Sequence, residues 1–458
     1  MAVRAEVLTT ESDREVSAAS RAVLAAALPI TGDATDYDGL LERIGNSRIV
    51  MIGEASHGTQ EFYSERARIT QRLIAERGFT AVAIEGDWPD SWPVNRYVRG
   101  LAAHDDPERA LGAYRRFPTW MWRNTVVTEF IAWLRTYNAR IGPESARVGF
   151  YGLDLYSLYE SIEAVIEYLE RVDPRAAARA RERYSCFEAF GTESVRYGRE
   201  VSLGVGEPCR REAVAQLVSL QRHAADWLRR DGFTAEDDFL HAEVNARTVS
   251  DAEEYYRSMF TDPHGSWNLR DRHMGDTLDR LIAHLARHGH GGGVVVWAHN
   301  SHVGDSRATE MSTRGEFTLG RFARERHGAD VVLVGMTTHR GTVTAASDWG
   351  LPGMRRHVRP ALEGSVEHLL HSTGLPAFLV IPDPGSGVHR RLGERRLERA
   401  IGVVYRPRTE RESHYRWSHV ADEFDAIVHI DETDALKPLE GTAEWRRGEP
   451  PETYPSAL

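Results

Sequence analysis

The sequence lacks any long hydrophobic run. Val23–Ile30 is too short to span a bilayer, and no other stretch approaches about 18 uninterrupted apolar residues. The segment Met1–Ser20 also lacks the basic start and the apolar centre of a signal peptide. We therefore expect a soluble, cytoplasmic protein that has no membrane among its partners.

Cysteine is equally scarce, since Cys186 and Cys209 are the two that the chain contains. These thiols could form one disulfide, but nothing in their spacing requires it. Because disulfides are rare in a reducing cytoplasm, we expect both thiols to be free.

The chain has fewer basic than acidic residues. The chain has 57 Lys and Arg residues against 68 Asp and Glu, and its net charge is −11. Binding of nucleic acid normally needs a basic face, so the sequence excludes nucleic acid as the main partner. An acidic surface suits solubility and cationic ligands, and we expect a small-molecule substrate. The oligomeric state is left open.

A β-α-β unit is predicted near the start of the chain. Residues 48–53 form a short apolar run that ends at glycine, which is typical of a buried strand. A helical pattern over Glu61–Arg77 ends at Gly78, and Thr80–Ile84 is a second apolar run. A helix between two such strands indicates a parallel pair.

Later segments extend this pattern to an α/β fold with a mixed, largely parallel sheet. A helix is predicted over Val126–Ile141, and charged amphipathic segments indicate a helical insertion or cap over residues 157–290. Further strands are predicted at Arg147–Leu153, Gly293–Ala298, Asp330–Gly335, Ala377–Ile381, Ala400–Tyr405 and Ala426–Ile430. One elaborated domain over residues 1–458 explains this order better than three independent domains.

Ionisable residues follow four of the predicted strands. Ligands of parallel α/β sheets bind beyond the carboxyl ends of the strands. The residues found there are Glu54, His57, Glu85, Asp87, Trp88, Asp154, His299 and His302. A single histidine at a strand end is more often a structural hydrogen-bonding group than a catalyst. Several ionisable groups buried in one region are costly without a use, so together they predict an active site.

The same residues carry a resemblance to a known family. The segment Gly53-Glu54-Ala55-Ser56-His57-Gly58, followed by Arg66, resembles the opening motif of the erythromycin esterase family. Later motifs resemble that family in the same order, over residues 45–438 in all. They are Ile84-Glu85-Gly86, Trp267-Asn268-Leu269-Arg270-Asp271, Trp297-Ala298-His299-Asn300-Ser301-His302, Arg399-Ala400-Ile401-Gly402, Ser413-His414-Tyr415 and His429-Ile430-Asp431-Glu432-Thr433. Ser56 departs mildly, because threonine is common at its position.

The resemblance implies a three-layer α/β/α core and a catalytic histidine at His57. It also implies that Glu54, Arg66, Glu85, His299 and His302 line the active site. Residues expected to contact substrate are Asp154, Asn268, Arg270, Asp271 and Trp88. The aromatic residues Trp88, Trp92, Trp120 and Trp122 are interpreted as core, with the wall of a pocket for a bulky substrate as the alternative.

Our leading hypothesis is a hydrolase in which His57 activates water to open an ester or lactone, with a macrolide as one candidate. Imidazole titrates near neutral pH, so histidine suits general-base catalysis. Glu85 or Glu54 would orient the ring, and Arg66 would hold a carboxylate in place. His299 and His302 would donate hydrogen bonds to the developing oxyanion.

Several alternatives stay open. The set Glu54, His57, Glu85, His299 and His302 is also competent to bind a divalent metal, although we expect no cofactor. The same base could catalyse elimination, dehydration or epoxide chemistry in secondary metabolism. A serine mechanism is disfavoured, because the sequence has no Gly-x-Ser-x-Gly elbow. A role in antibiotic resistance and a biosynthetic role are both compatible with these residues.

Overall fold

A computed structural model of the protein describes residues 11–191, 193–228, 233–287 and 291–448. In this part of the chain, nine strands form one sheet and two form a second, smaller sheet. The strands are β1 (Leu28–Pro29), β2 (Ile49–Ile52), β3 (Ala81–Asp87), β4 (Gly149–Asp154), β5 (Val294–Trp297), β6 (Val331–Ala345), β7 (Met354–Val358), β8 (Ala377–Val380), β9 (Arg396–Arg399), β10 (Tyr415–Ser418) and β11 (Ala426–Thr433).

Helices connect most of these strands. The α-helices are α1 (Glu11–Ala26), α2 (Asp38–Ile44), α3 (Gln60–Arg77), α4 (Trp88–Val98), α5 (Pro107–Ala110), α6 (Thr125–Asn138), α7 (Leu158–Val172), α8 (Pro174–Tyr184), α9 (Ser194–Ser202), α10 (Arg210–Leu228), α11 (Phe233–Ser258), α12 (Pro263–Arg287), α13 (Asn300–Val303), α14 (Leu319–His327), α15 (Val366–His371), α16 (Gly387–Leu392), α17 (Glu410–Ser413), α18 (Val420–Glu423) and α19 (Ala443–Arg447). Short 3₁₀ turns lie at Leu111–Ala113, Thr119–Met121, Glu144–Ala146, Ser185–Phe190, Ser306–Ala308, Glu310–Arg314, Gly328–Asp330 and Pro407–Thr409.

The large sheet has the order β1-β8-β11-β6-β2-β5-β3-β4, and β7 pairs with β6 beside this path. The six strands from β11 to β4 run parallel, whereas β1, β7 and β8 pair antiparallel with their neighbours. Trp297 on β5 lies opposite Ile52 on one side and Ile84 on the other. The carboxyl ends of these three central strands are therefore level.

Side chains of the central strands alternate between the two faces of the sheet. Val50 and Ile52 of β2 pack in the same apolar cluster as Phe62 of α3, while Met51 packs on the opposite face with Leu278 of α12. Helices therefore cover both faces, which is the arrangement that a largely parallel sheet requires. The predicted three-layer α/β/α core is confirmed.

The described residues between Leu158 and Arg287 are organised as helices α7–α12, in the region where the sequence predicted a helical insertion. They enclose an apolar cluster of their own, which includes Phe187 and Tyr197. The assignment of residues 1–458 to one domain stays a prediction. None of the helices in the described ranges combines the length and the apolar character needed to cross a bilayer.

Two expectations from the sequence are wrong. Cys186 and Cys209 are joined by a disulfide, with their Cα atoms 5.9 Å apart, so these thiols are not free. Residues 400–405 do not form a strand; this segment makes isolated bridges from Ile401 to Ser56 and from Val404 to Ala346. The backbone of that segment instead forms hydrogen bonds with the neighbouring loops at Ala55 and Ala346.

Candidate active site

Four neighbouring strands bring the candidate residues together. Glu54 and His57 follow β2, His299 follows β5, and Glu85 and Asp154 lie at the ends of β3 and β4. These strands are adjacent in the order β2-β5-β3-β4, so their carboxyl ends form one edge. A cavity of about 640 Å³ opens at this edge. The predicted residues that line it are His57, Glu85, Asp87, Asp154, Arg270, His299 and His302.

Close packing fixes the backbone that carries His57. A Cβ atom at Gly53 would collide with the side chain of Asn300, and one at Gly58 would collide with the carbonyl of Thr344. The His57 N–H donates to the carbonyl of Ile401 at 3.3 Å, and the His57 carbonyl accepts a hydrogen bond from Tyr63 at 3.0 Å. The two glycines therefore allow neighbouring segments to hold the loop on both sides.

The two ring nitrogens of His57 have different surroundings. Nδ1 lies 3.0 Å from Glu54 Oε1, and Glu54 Oε2 lies 2.9 Å from Nη2 of Arg66. Arg66 is fully buried, with its guanidinium 4.2 Å from the centre of the Tyr63 ring. Nε2 has no hydrogen bond to any described residue, and Glu85 Oε1 lies 3.8 Å away from it. With a proton on Nδ1, the ring donates to Glu54, and Nε2 is then the nitrogen that can accept a proton.

Glu85 connects three of the other groups. Its Oε2 accepts a hydrogen bond from the backbone N–H of His299 at 2.8 Å, and its Oε1 accepts one from Arg270 Nη2 at 2.8 Å. Burial alone would raise the pKa of Glu85, but His302, His57 and Arg270 outweigh it and hold the pKa well below its usual range. Glu85 is therefore an ionised carboxylate inside the protein.

His302 is held between two carboxylates. Its Nδ1 lies 2.9 Å from Asp271 Oδ2, and its Nε2 lies 3.3 Å from Glu85 Oε1 and 2.9 Å from Nη1 of Arg270. Burial lowers the pKa of His302, but Asp271 and Glu85 oppose this and raise it to about 9. The cationic ring can donate from Nε2 to Glu85, whereas the neutral ring accepts from Arg270.

His299 has no ring nitrogen left for a substrate. Its Nε2 donates to the carbonyl of Ile401 at 3.1 Å, and its Nδ1 accepts from the N–H of Ser301 at 3.2 Å. Burial, followed by the neighbouring His57, holds the pKa of His299 well below its usual range, so the ring is neutral. Its centre lies 4.7 Å from that of His57, so it forms a wall beside the base.

Arg270 and Asp154 form a two-point ion pair on the cavity wall. Nε of Arg270 lies 2.9 Å from Asp154 Oδ1, and Nη2 lies 2.5 Å from Oδ2. The guanidinium also lies 4.8 Å from the centre of the Tyr156 ring. Arg270 thus ties the end of β4 to Glu85 and His302, although both it and Asp154 face the cavity.

Five predicted residues lie outside the cavity lining, namely Glu54, Arg66, Asn268, Asp271 and Trp88. Asn268 hydrogen-bonds the backbone of Gly315 and Phe317 at 2.9 and 2.7 Å, and so holds the following loop. Trp88 donates from Nε1 to His241 at 3.0 Å and stacks on Tyr151. Neither side chain is placed to touch a substrate in this cavity.

The residues proposed for the alternative metal site are not grouped around a common point. Among the residues that the structure describes, no three His, Cys, Asp or Glu side chains are grouped to hold a metal ion. Arg66 lies against Glu54, and Arg270 lies against Glu85, at distances where a guanidinium charge opposes that of a cation. The donor set of the five residues therefore does not fit a metal.

The sequence did not indicate most of the remaining cavity wall. Trp122 lines it, as the pocket alternative required, whereas Trp88, Trp92 and Trp120 do not. Other lining residues that were missed include Asp90, Tyr114, Arg116, Tyr256, Trp349 and Arg416. Asp90 stands close behind the Glu85-Gly86-Asp87 turn and could have been found there, but the others belong to no motif.

Comparison with known proteins covers most of the chain. The sequence profile of erythromycin esterase matches residues 74–433, more than three quarters of the chain. The chain belongs to the erythromycin esterase family. Membership of this family supports the assignment of the chain as a hydrolase. The matched range starts after Glu54, His57 and Arg66, so the resemblance of that first motif stays a prediction.

Individual relatives are distant. The chain is 23% identical over 359 residues to erythromycin esterase type II of Escherichia coli. The aligned region covers 74% of this chain and 82% of that protein. A Bacillus cereus protein of known structure has a TM-score of 0.75 at 19% identity, covering 92% and 99% of the two chains. A mutant of the erythromycin esterase EreC in its open conformation has a TM-score of 0.65 at 19% identity, covering 89% and 96%. At these identities the structures show a shared fold.

Proposed function

We propose that this protein hydrolyses an ester or lactone, with a macrolide as the first candidate substrate, through water activated by His57. The observation that carries the proposal is the asymmetry of the His57 ring. Glu54 holds Nδ1 at 3.0 Å, while Nε2 faces the cavity without a hydrogen bond in the described part of the chain. A histidine held in this way has the geometry of a general base.

The reaction would begin with a water molecule bound between His57 Nε2 and Glu85. The attacking oxygen forms a bond to the carbonyl carbon as its proton passes to Nε2. Glu54 stabilises the resulting imidazolium through Nδ1, because its carboxylate lies beside the new positive charge. The tetrahedral intermediate then collapses, the carbon–oxygen bond to the alcohol breaks, and Nε2 returns its proton to the leaving alkoxide.

The developing oxyanion needs a positive group that lines the cavity. His299 is an unsuitable donor, since its Nε2 proton is committed to the Ile401 carbonyl. Arg270 and His302 both line the cavity, and together they supply the positive charge that we assign to this task. We assign Arg66 to holding Glu54, away from the substrate.

The test is mass spectrometry of a panel of macrolides, simple lactones and esters in water enriched in ¹⁸O. Hydrolysis adds the mass of one water and places the heavy oxygen in the carboxylic acid product. The same panel is run with His57→Ala and with His389→Ala, a variant of a histidine outside the cavity. Product formed by the wild-type and His389→Ala proteins but not by His57→Ala supports the proposal. Loss of water from a substrate, or no change in any, contradicts it.

A further inference from the structure

The acidic side chains of the cavity differ in their partners. Five line it, namely Glu85, Asp87, Asp90, Asp154 and Glu316. Four of them are paired with arginine: Glu85 and Asp154 with Arg270, Asp87 with Arg116, and Glu316 with Arg314. Asp90 is the exception, because its carboxyl group has no hydrogen bond or ion pair to any residue that the structure describes.

Asp90 is also buried, with 6% of its surface exposed. It lies in the first turn of α4, where an acidic side chain often accepts a hydrogen bond from a backbone N–H. Asp90 accepts none within the described chain, so the start of the helix does not explain its position. Because Asp90 lines the cavity and lacks a protein partner, its carboxyl group is available to a ligand that enters the cavity.

The charged groups around Asp90 come from three elements. Asp87 lies at the end of β3, Arg115 and Arg116 precede the 3₁₀ turn at Thr119–Met121, and Glu160 lies on α7. Burial, followed by the charge of Asp87, raises the pKa of Asp90 to about 8. Arg116 does not pair with Asp90, because its guanidinium contacts Asp87 and the carbonyl of Tyr156 instead. A cation from outside the protein would therefore meet an acid that lacks a partner.

We propose that Asp90 binds a protonated amine carried by the substrate, in the way that arginine pairs with the other four acids. This inference rests on the proposed function, and it narrows the substrate class to amine-bearing esters or lactones. Exposed apolar residues on the cavity lining, Val195 and Trp349, favour a ligand that also has a hydrophobic part. When the amine binds, the Asp90 carboxyl releases its proton to solvent and forms the ion pair.

The test uses two small probes that cannot be hydrolysed, 4-phenylbutylamine and the uncharged 4-phenylbutanol. Their affinities are measured by calorimetry at pH 6.5 and 8.5 with the wild-type protein, Asp90→Asn and Asp105→Asn. Asp105 is a matched control, because it is exposed and lies outside the cavity. Asn keeps the size of the neutral carboxyl group, so Asp90→Asn is expected to fold, and its thermal transition verifies this.

We expect the wild-type and Asp105→Asn proteins to bind the amine about tenfold more tightly than the alcohol at pH 8.5, as one hydrogen-bonded ion pair provides. This preference should shrink at pH 6.5, where Asp90 is protonated, and it should vanish in Asp90→Asn at both pH values. Equal affinities of the wild-type protein for the two probes, or an unchanged preference in Asp90→Asn, would overturn the inference. Because no probe is hydrolysed, this result is independent of whether His57 cleaves an ester.

Discussion

Glu54 Oε1 lies 3.0 Å from Nδ1 of His57, on the side of the ring that faces away from the cavity lining. In the proposed mechanism we therefore assign the orientation of the ring to Glu54, where the sequence had left Glu54 and Glu85 as alternatives. Glu85 lies 3.8 Å from the opposite nitrogen, where it can hold a water molecule but does not fix the tautomer.

Replacement of His57 should strongly reduce turnover. His57→Ala is expected to lower kcat about a hundredfold or more, since loss of a general base typically has this effect. Binding should survive, because the cavity wall is formed by many other side chains. Steady-state kinetics with a hydrolysed ester, together with calorimetry, measures both quantities. A variant that keeps near-normal kcat would refute the role of His57.

Glu54→Gln should reduce both activity and stability. The amide can still contact Nδ1, but it removes the negative charge beside His57 and leaves the buried guanidinium of Arg66 uncompensated. We expect kcat to fall about a hundredfold and the free energy of unfolding to fall by about 3–5 kcal/mol. Urea denaturation and kinetics measure the two effects separately.

A double variant separates the two roles of Glu54. Glu54→Gln combined with Arg66→Met removes both buried charges, and so should regain much of the lost stability while kcat stays low. Recovery of kcat together with stability would show that Glu54 only supports the fold. Loss of stability without loss of kcat in the single variant would lead to the same conclusion.

The pKa of His302, raised to about 9, predicts a pH-dependent stability. Between about pH 6.5 and 9 the folded protein holds a proton on His302 that the unfolded chain releases. The contribution of His302 is therefore complete below pH 6.5 and is lost as the pH rises through 9, by up to about 3 kcal/mol. Unfolding free energies of the wild-type protein should fall more steeply over this range than those of His302→Asn. Parallel curves would contradict the assignment.

Removal of metal ions should leave hydrolysis unchanged. The described residues contain no converging set of three metal-binding side chains, and the ring nitrogens of His299 and His302 are taken up by other contacts. We expect the same kcat before and after dialysis against EDTA, with less than stoichiometric zinc by elemental analysis. Activity that disappears on dialysis and returns with Zn²⁺ would favour the metal alternative.

Apolar strands could be predicted from the sequence, whereas short polar ones could not. Ile49–Ile52 and Val294–Trp297 are continuous apolar runs because both faces of these central strands are buried. Met354–Val358 and Arg396–Arg399 contain several arginines and lie beside or outside the main path of the sheet, so no such run marks them. The segment 400–405 has the composition of a strand but pairs only through isolated bridges.

The site shows the same division between what motifs reveal and what they do not. Of the residues predicted at strand ends, six line one cavity because parallel strands end at one edge, namely His57, Glu85, Asp87, Asp154, His299 and His302. Glu54 and Trp88 were in the same predicted set but lie outside the lining. The hydrogen-bond partners of each ring nitrogen could not be predicted. They change with small shifts between elements that lie far apart in the sequence. Two examples are the hydrogen bonds that occupy both ring nitrogens of His299 and the ion pair between Arg66 and Glu54.

The two halves of the cavity wall have different origins. His57, Glu85 and His299 lie at the carboxyl ends of sheet strands, whereas Val195 and Tyr256 come from α9 and α11 in the helical region. Changes in α9 and α11 would reshape the pocket without moving the groups that handle the proton. One reactive centre could in this way be adapted to different molecules during evolution, and exchange of α9 and α11 between relatives offers a route to new specificities in the laboratory.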